Sequence, residues 1–350
     1  ASFDDSKWQT ISLPHTWNAR DGQDGGNNYY RGVGWYRKQL LIDSKYQSKV
    51  IYLKFDAVSI AATVYVNGKQ VGEHKGAFGA FCFDITGFVK YGKKNLIAVD
   101  VNNAWDAAIP PLRGDFVMFG GMYRDVHLLI LDPLSISPLD HASSGVYIKQ
   151  TDVSKDSARL EITTVIRNAS PDVRRPTIRC TIRNPEGKTV TESVTFIPSS
   201  SSHNETQTIV LRSPHLWNGR KDPHLYSVSV EILENDVVKD GIEQAIGLRY
   251  FSVDAERGFF LNGEHYPLHG VNRHQDRENK GWAISLDDQL QDYHLVEEMG
   301  CTALRLAHYQ HSREFYDLCD RGGMIVWAEL ALVDQVDAQP AFLENCKEQM

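Results

Sequence analysis

Two stretches of this 350-residue chain concentrate side chains able to grip a polar ligand. His269-Gly270-Val271-Asn272-Arg273-His274-Gln275-Asp276 follows one short apolar run, Arg305-Leu306-Ala307-His308-Tyr309 closes a second, and Glu329 closes a third. An arginine offers a planar fork that holds a carboxylate or a hydroxyl in fixed geometry, and imidazoles donate to hydroxyls. Asn272, His274, Arg305 and His308 are therefore candidate binding residues, with Glu329 in a supporting role. A further candidate lies far away in sequence, in the proline- and glycine-bounded loop Pro110-Pro111-Leu112-Arg113-Gly114-Asp115-Phe116. It presents Asp115, whose carboxylate can accept two hydroxyls through charge-assisted bonds.

The elements that must position these groups are legible around them. Asn262-Gly263 between apolar flanks predicts a tight hairpin just before the first cluster. Ser285 with Asp288 three residues on predicts a helix start, and Leu286, Leu290, Tyr293, Val296 and Met299 recur at helical spacing until Gly300. Thr302 to Ala307 reads as a buried strand, Ser312 to Arg321 as a helix closed by Gly322-Gly323, and Met324 to Glu329 as another buried strand. The order is β, α, β, α, β. Right-handed crossovers between parallel strands put all their polar ends on one face, so residues distant in sequence can converge there.

Upstream, the chain reads as short strands. Thr63 to Val71 carries a second Asn-Gly hairpin with Val64 and Val66 on one face, and Trp8, Leu13, Trp17, Trp35, Tyr36, Phe55, Phe81 and Phe83 are expected to supply core or stacking surface. From about residue 134 to 246, short runs beginning at Val146, Ala158, Ile178, Val190, Thr208 and Tyr226 are spaced as in an immunoglobulin-like sandwich. The run Pro198 to Ser202 is expected to be a solvated loop, and Asn168-Ala169-Ser170 and Asn204-Glu205-Thr206 fit the short N-glycosylation pattern. A net charge of −8 with interspersed charges gives no basis for binding nucleic acid. No run of 18 apolar residues occurs, so no membrane partner is expected, and periplasm and cytoplasm both stay open. Five scattered cysteines without a C-x-x-C pair imply neither a disulfide framework nor a zinc site, and His308 and His311 lack the partner glutamate of a helical zinc motif.

Several of these stretches together resemble glycoside hydrolase family 2, in its beta-galactosidase branch. The resemblance rests on Leu13 to Asn18, Tyr30 to Arg37, Gly120 to Val126, Gly270 to Asp276, Gly281-Trp282-Ala283, Arg305 to Tyr309 and Tyr316 to Asp320, in that order. It implies a mainly β, multidomain fold: a jelly-roll sugar-binding domain over 1–133, the immunoglobulin-like β-sandwich over 134–246, and over 247–350 the first, incomplete part of a (β/α)8 TIM barrel. It also implies a terminal β-galactoside as substrate, with His274, Arg305 and His308 lining the sugar subsite and Asp115 contacting the sugar or a bound sodium ion. The full-length protein is expected to be a homo-oligomer.

Retaining hydrolysis takes two carboxylates about 5 to 5.5 Å apart. The family takes them from the fourth and seventh barrel strands, which are expected beyond Met350, so residues 1–350 alone are expected to be inactive. The family's Asn-Glu signature occurs here only at Asn204-Glu205, expected in the serine-rich loop of the second domain and hence a decoy. Where many family members have a magnesium-binding Glu-x-His, this chain has Val333-Asp334-Gln335, so magnesium does not carry over and no cofactor is required. The competing sugars within the family are β-glucuronide and β-mannoside; the competing class is a non-catalytic carbohydrate-binding protein.

Overall fold

The structure is a computed structural model and describes residues 3–26, 28–169, 176–197 and 202–350. Pro198 to Ser201 of the serine-rich run, and Ser170 of the first glycosylation pattern, lie outside the described residues.

Among the described residues, the strands of the first domain are β1 (Val33–Ile42), β2 (Val50–Phe55), β3 (Ala61–Val66), β4 (Lys69–Lys75), β5 (Phe81–Asp84), β6 (Lys93–Asn102) and β7 (Val126–Leu131). They pair as two antiparallel sheets, β1-β6-β3-β4 and β5-β2-β7, over a core that includes Leu53, Phe55, Val64, Val66, Phe81 and Val99. The hairpin between β3 and β4 turns on Asn67 (φ 53°) and Gly68 (φ 82°), the positive-φ pair that a two-residue turn requires. Of the aromatics expected to supply core or stacking surface, Trp8 and Trp35 take the second part, 38% and 46% exposed and in contact with Phe3 and Tyr65. Trp35 points outward because strand alternation gives the inward position to its neighbour Tyr36.

The second domain holds β8 (Leu134–Ile136), β9 (Val146–Thr151), β10 (Ser157–Asn168), β11 (Thr177–Arg183), β12 (Thr189–Phe196), β13 (His203–Arg212), β14 (Tyr226–Glu234) and β15 (Val237–Ile246). One sheet runs β13-β10-β8 with β9 also on β10, the other runs β12-β11-β14-β15, and Leu160, Ile162, Ile178, Val230 and Ile232 fill the space between them. Asn204 and Glu205 belong to β13, paired with Val165 and Thr164 of β10, and not to a loop. Polar alternation along β13 (exposed Asn204, Thr206 and Thr208 against buried Gln207 and Ile209) is the strand pattern that the neighbouring serines obscured.

The remainder opens with the antiparallel β16 (Phe251–Asp254), β17 (Gly258–Leu261) and β18 (Glu264–His265), the last two joined through Asn262 (φ 52°) and Gly263 (φ 83°). Then come β19 (Gly270–Arg273), α1 (Leu286–Glu298), β20 (Ala303–Leu306), α2 (Arg313–Gly322), β21 (Ile325–Ala328) and α3 (Pro340–Gln349). β19, β20 and β21 are parallel and in register, Asn272 beside Arg305 beside Trp327, so these three side chains share one face. The sheet is an open three-stranded portion of a barrel, with α1 and α2 packed on its other face through Tyr293, Leu304, Leu306, Phe315 and Leu318.

Helix α1 begins with a complete capping box. Asp288 N donates to Ser285 Oγ at 3.2 Å, and Ser285 N donates to Asp288 Oδ2 at 2.8 Å. Burial pushes the Asp288 carboxyl up, but bonds from Lys280 Nζ (2.7 and 2.8 Å) and from Ser285 outweigh it and set the pKa at about 2. The ordinary value is 3.8, so the folded state prefers the carboxylate; this contribution is complete above about pH 4 and is lost as pH falls toward 2. Asp288→Asn should therefore flatten the acid limb of a stability–pH curve between pH 4 and 2. Parallel limbs for variant and parent would remove Asp288 from acid sensitivity.

Candidate active site

Just past the strand ends, the Arg305 guanidinium forks onto Glu329, Nε to Oε1 at 2.5 Å and Nη2 to Oε2 at 3.0 Å. Such a bidentate pair fixes the plane of both groups. His308 Nδ1 sits 3.0 Å from Arg305 Nη2 and 3.2 Å from Glu329 Oε2, so either tautomer ties the ring to this pair. Asn272 Oδ1 accepts from Arg305 Nη1 at a looser 3.5 Å. Glu329 thus fixes Arg305 and His308 relative to each other.

His274 stands edge-on to His308, ring centroids 5.2 Å apart, and its Nδ1 is 3.1 Å from the Tyr309 hydroxyl. Burial lowers the His274 pKa, opposed by the Asp276 and Asp115 carboxylates, so the ring is neutral near pH 7. Asp115 is exposed at the tip of its loop, close enough to His274 for its charge to act there. Its neighbour Phe116 makes the loop's approach concrete, 5.4 Å from the His274 ring, 6.0 Å from His308 and 5.3 Å from Tyr309. All six residues singled out from the sequence therefore gather at one mouth, Asp115 from the first domain and the rest from the barrel portion. Among the described residues no three His, Cys, Asp or Glu side chains are grouped as a metal centre would need.

What brings the two domains together was not visible in the sequence. Trp282, 1% exposed, packs between Phe78, Phe119 and Tyr123 of the first domain and Tyr309 of the barrel portion, and Phe78 stacks on Tyr309 at 4.2 Å. Arg124 crosses the same boundary, Nη2 donating to Gln275 Oε1 at 3.0 Å and to Gln310 O at 2.8 Å. Trp282 and Arg124 each sit inside a motif, but neither motif says which distant surface it meets.

The loop bearing His274 is held from behind. Arg273 is buried, donates to Asp292 of α1 at 2.6 and 3.0 Å, and lies 3.9 Å over the Phe315 ring. Its Nη1 is 2.9 Å from His311 Nδ1, which must accept, so His311 carries its proton on Nε2 and donates to Ala307 O at 3.3 Å. Burial, reinforced by the Arg273 charge, drives the His311 pKa well below the ordinary value and keeps the ring neutral. On the far side, Trp217 Nε1 donates to Asp320 O at 2.8 Å and Arg220 binds Glu297 at 2.8 Å, fastening the second domain to α1 and α2.

Two β-sandwiches followed by parallel βα units, with a polar cluster at the strand ends completed by a sandwich loop, define a multidomain protein whose candidate site is shared between a sandwich and a barrel portion. Sequence models of glycosyl hydrolases family 2 match nearly the whole chain: the sugar binding domain over residues 6–132, the central domain over 144–249 and the TIM barrel domain over 253–347. The chain belongs to glycosyl hydrolases family 2. It is 42% identical to a beta-glucuronidase of Bacteroides fragilis over 97% of this chain and 50% of that protein. It is 34% identical to a beta-galactosidase of Thermoanaerobacter pseudethanolicus over 94% of this chain and 43% of that one. The solved Bacteroides uniformis beta-glucuronidase superposes with a TM-score of 0.95 at 35% identity, covering 100% of this chain and 42% of that one. The chain thus spans about half the length of the relatives it matches.

Proposed function

We propose that the complete protein is a retaining glycosidase that removes a terminal β-linked sugar, with Asn272, His274, Arg305, His308 and Asp115 orienting the sugar. The observation that carries this is the convergence of the Arg305–Glu329–His308 cluster with the Asp115–Phe116 loop at one mouth. The neutral His274 imidazole can donate to or accept from a hydroxyl, Asp115 accepts hydroxyls directly or through a sodium ion, and Glu329 keeps Arg305 and His308 oriented. The acid/base and nucleophilic carboxylates of this reading lie outside residues 1–350, so this stretch by itself positions a sugar without cleaving it.

A β-galactoside is the first reading of the sugar. The Asn272-Arg273-His274-Gln275-Asp276 motif supports it, and so does the engagement of Arg305 by Glu329, which leaves that cation unfree for a uronate carboxylate. A β-glucuronide is the second, favoured by the 42% identity to a beta-glucuronidase of Bacteroides fragilis. Turnover of nitrophenyl β-galactoside and β-glucuronide by the complete protein decides between them. A kcat/KM higher for the glucuronide overturns the first reading, and no turnover of any nitrophenyl β-glycoside overturns both.

A further inference from the structure

The outward face of the β1-β6-β3-β4 sheet shares no residue with the barrel mouth, yet it carries the features of a binding surface. Strand register places Trp35, Asp100, Thr63 and Glu73 in one row across the sheet, and Arg37, Ala98, Tyr65 and Gln70 in the next. The alternate residues Tyr36, Val99 and Val64 face the core, so both rows face out. Trp35 and Tyr65 stand diagonally, ring centroids 5.9 Å apart and 32° from coplanar, with the small Ala98 between their strands; Trp35 is 46% exposed and Tyr65 half-buried. Asp100 has no hydrogen-bond or ion-pair partner among the described residues, although partial burial pushes its carboxyl up. At the sheet edge Arg37 is taken by Asp5 at 2.7 Å, its guanidinium lying 5.9 Å over Trp8.

We propose that this face is a second carbohydrate site, one that takes a neutral hexose chain by stacking it on Trp35 and Tyr65 while Asp100 and Thr63 accept its hydroxyls. Amphipathic rings flanked by acceptors suit the apolar face and hydroxyl edge of a pyranose. A second copy of the chain suits it less: two such faces meeting about a two-fold axis would bury Asp100 and Glu73 with Arg37 already paired. An acidic polymer would meet the same two carboxylates. The site goes beyond the glycosidase reading and does not rest on it.

The test is electrophoresis of the 350-residue chain through native gels containing galactomannan, xyloglucan or arabinogalactan, with chondroitin sulfate as the acidic comparison. At least one neutral polymer should retard the chain and chondroitin sulfate should not. Trp35→Ala and Tyr65→Ala should each weaken retardation about tenfold or more, the loss expected of a central aromatic contact, with the far-UV spectrum unchanged. Asp100→Asn should weaken it less, and His308→Phe should leave it intact, which separates this face from the mouth. Absence of retardation in all three neutral polymers overturns the proposal, as does retardation that survives Trp35→Ala. So does a dimer, seen by sedimentation, that Trp35→Ala dissociates, since the face would then join two copies.

Discussion

Arg273→Met is expected to destabilise the barrel portion by about 3 kcal/mol, the lower end of the range for breaking a buried ion pair by removing one partner. The substitution keeps an aliphatic stem over Phe315 but leaves His311 Nδ1 without its donor and removes both Arg273 bonds to Asp292. The lower end applies because Arg277 still reaches Asp292 at 2.6 Å, so the carboxylate is not left unpaired. Urea unfolding of parent and variant measures the difference. The double variant Arg273→Met with Asp292→Leu should lose more than the single one, because it also takes the Asp292 carboxylate away from Arg277. A loss below about 1 kcal/mol for the single variant would mean that the pair is replaceable by packing and that Arg273 is not what holds the His274 loop.

The second large effect is on turnover. In the complete protein, His308→Phe should lower kcat by about 10²-fold, the usual loss when one donor to the developing transition state is removed. Phenylalanine preserves ring shape and the contact with Phe116 while deleting both nitrogens, and Arg305 with Glu329 stays paired without it. Thermal stability should therefore change little while kcat falls. The reverse pattern, unchanged kcat with a lower melting temperature, would make His308 a packing residue.

Local signals carried much of the architecture. The two Asn-Gly hairpins, the Ser285 capping box and the glycine closures of α1 and α2 are set by a few adjacent dihedrals and bonds, so a handful of residues declares them. The gathering of Asn272, Arg305, His308 and Glu329 was legible for a different reason: parallel βα order delivers every strand end to one side. The partners inside that cluster were not legible. Nothing in the spacing says that Glu329 takes Arg305, which is a choice of rotamers at adjacent strand ends, or that Phe116 reaches the imidazoles, which depends on how the sandwich docks on the barrel portion. Whether Trp35 would supply core or stacking surface was left open for a related reason: a large aromatic in a sandwich strand packs inward or stands outward depending on a register that one residue shifts.

The aromatic seam around Trp282 bears on how such a protein can change its diet. Because the sandwich supplies Asp115 and Phe116 to a cluster whose other members sit on the barrel portion, exchanging that one loop would alter the mouth without touching Asn272, His274, Arg305 or His308. Grafting is tolerated only if the recipient keeps the ring socket of Phe78, Phe119 and Tyr123 that seats Trp282. Recombinants that respect this seam should keep a mouth with its rim attached, whereas those cut across it would carry both halves of a pocket that no longer face each other.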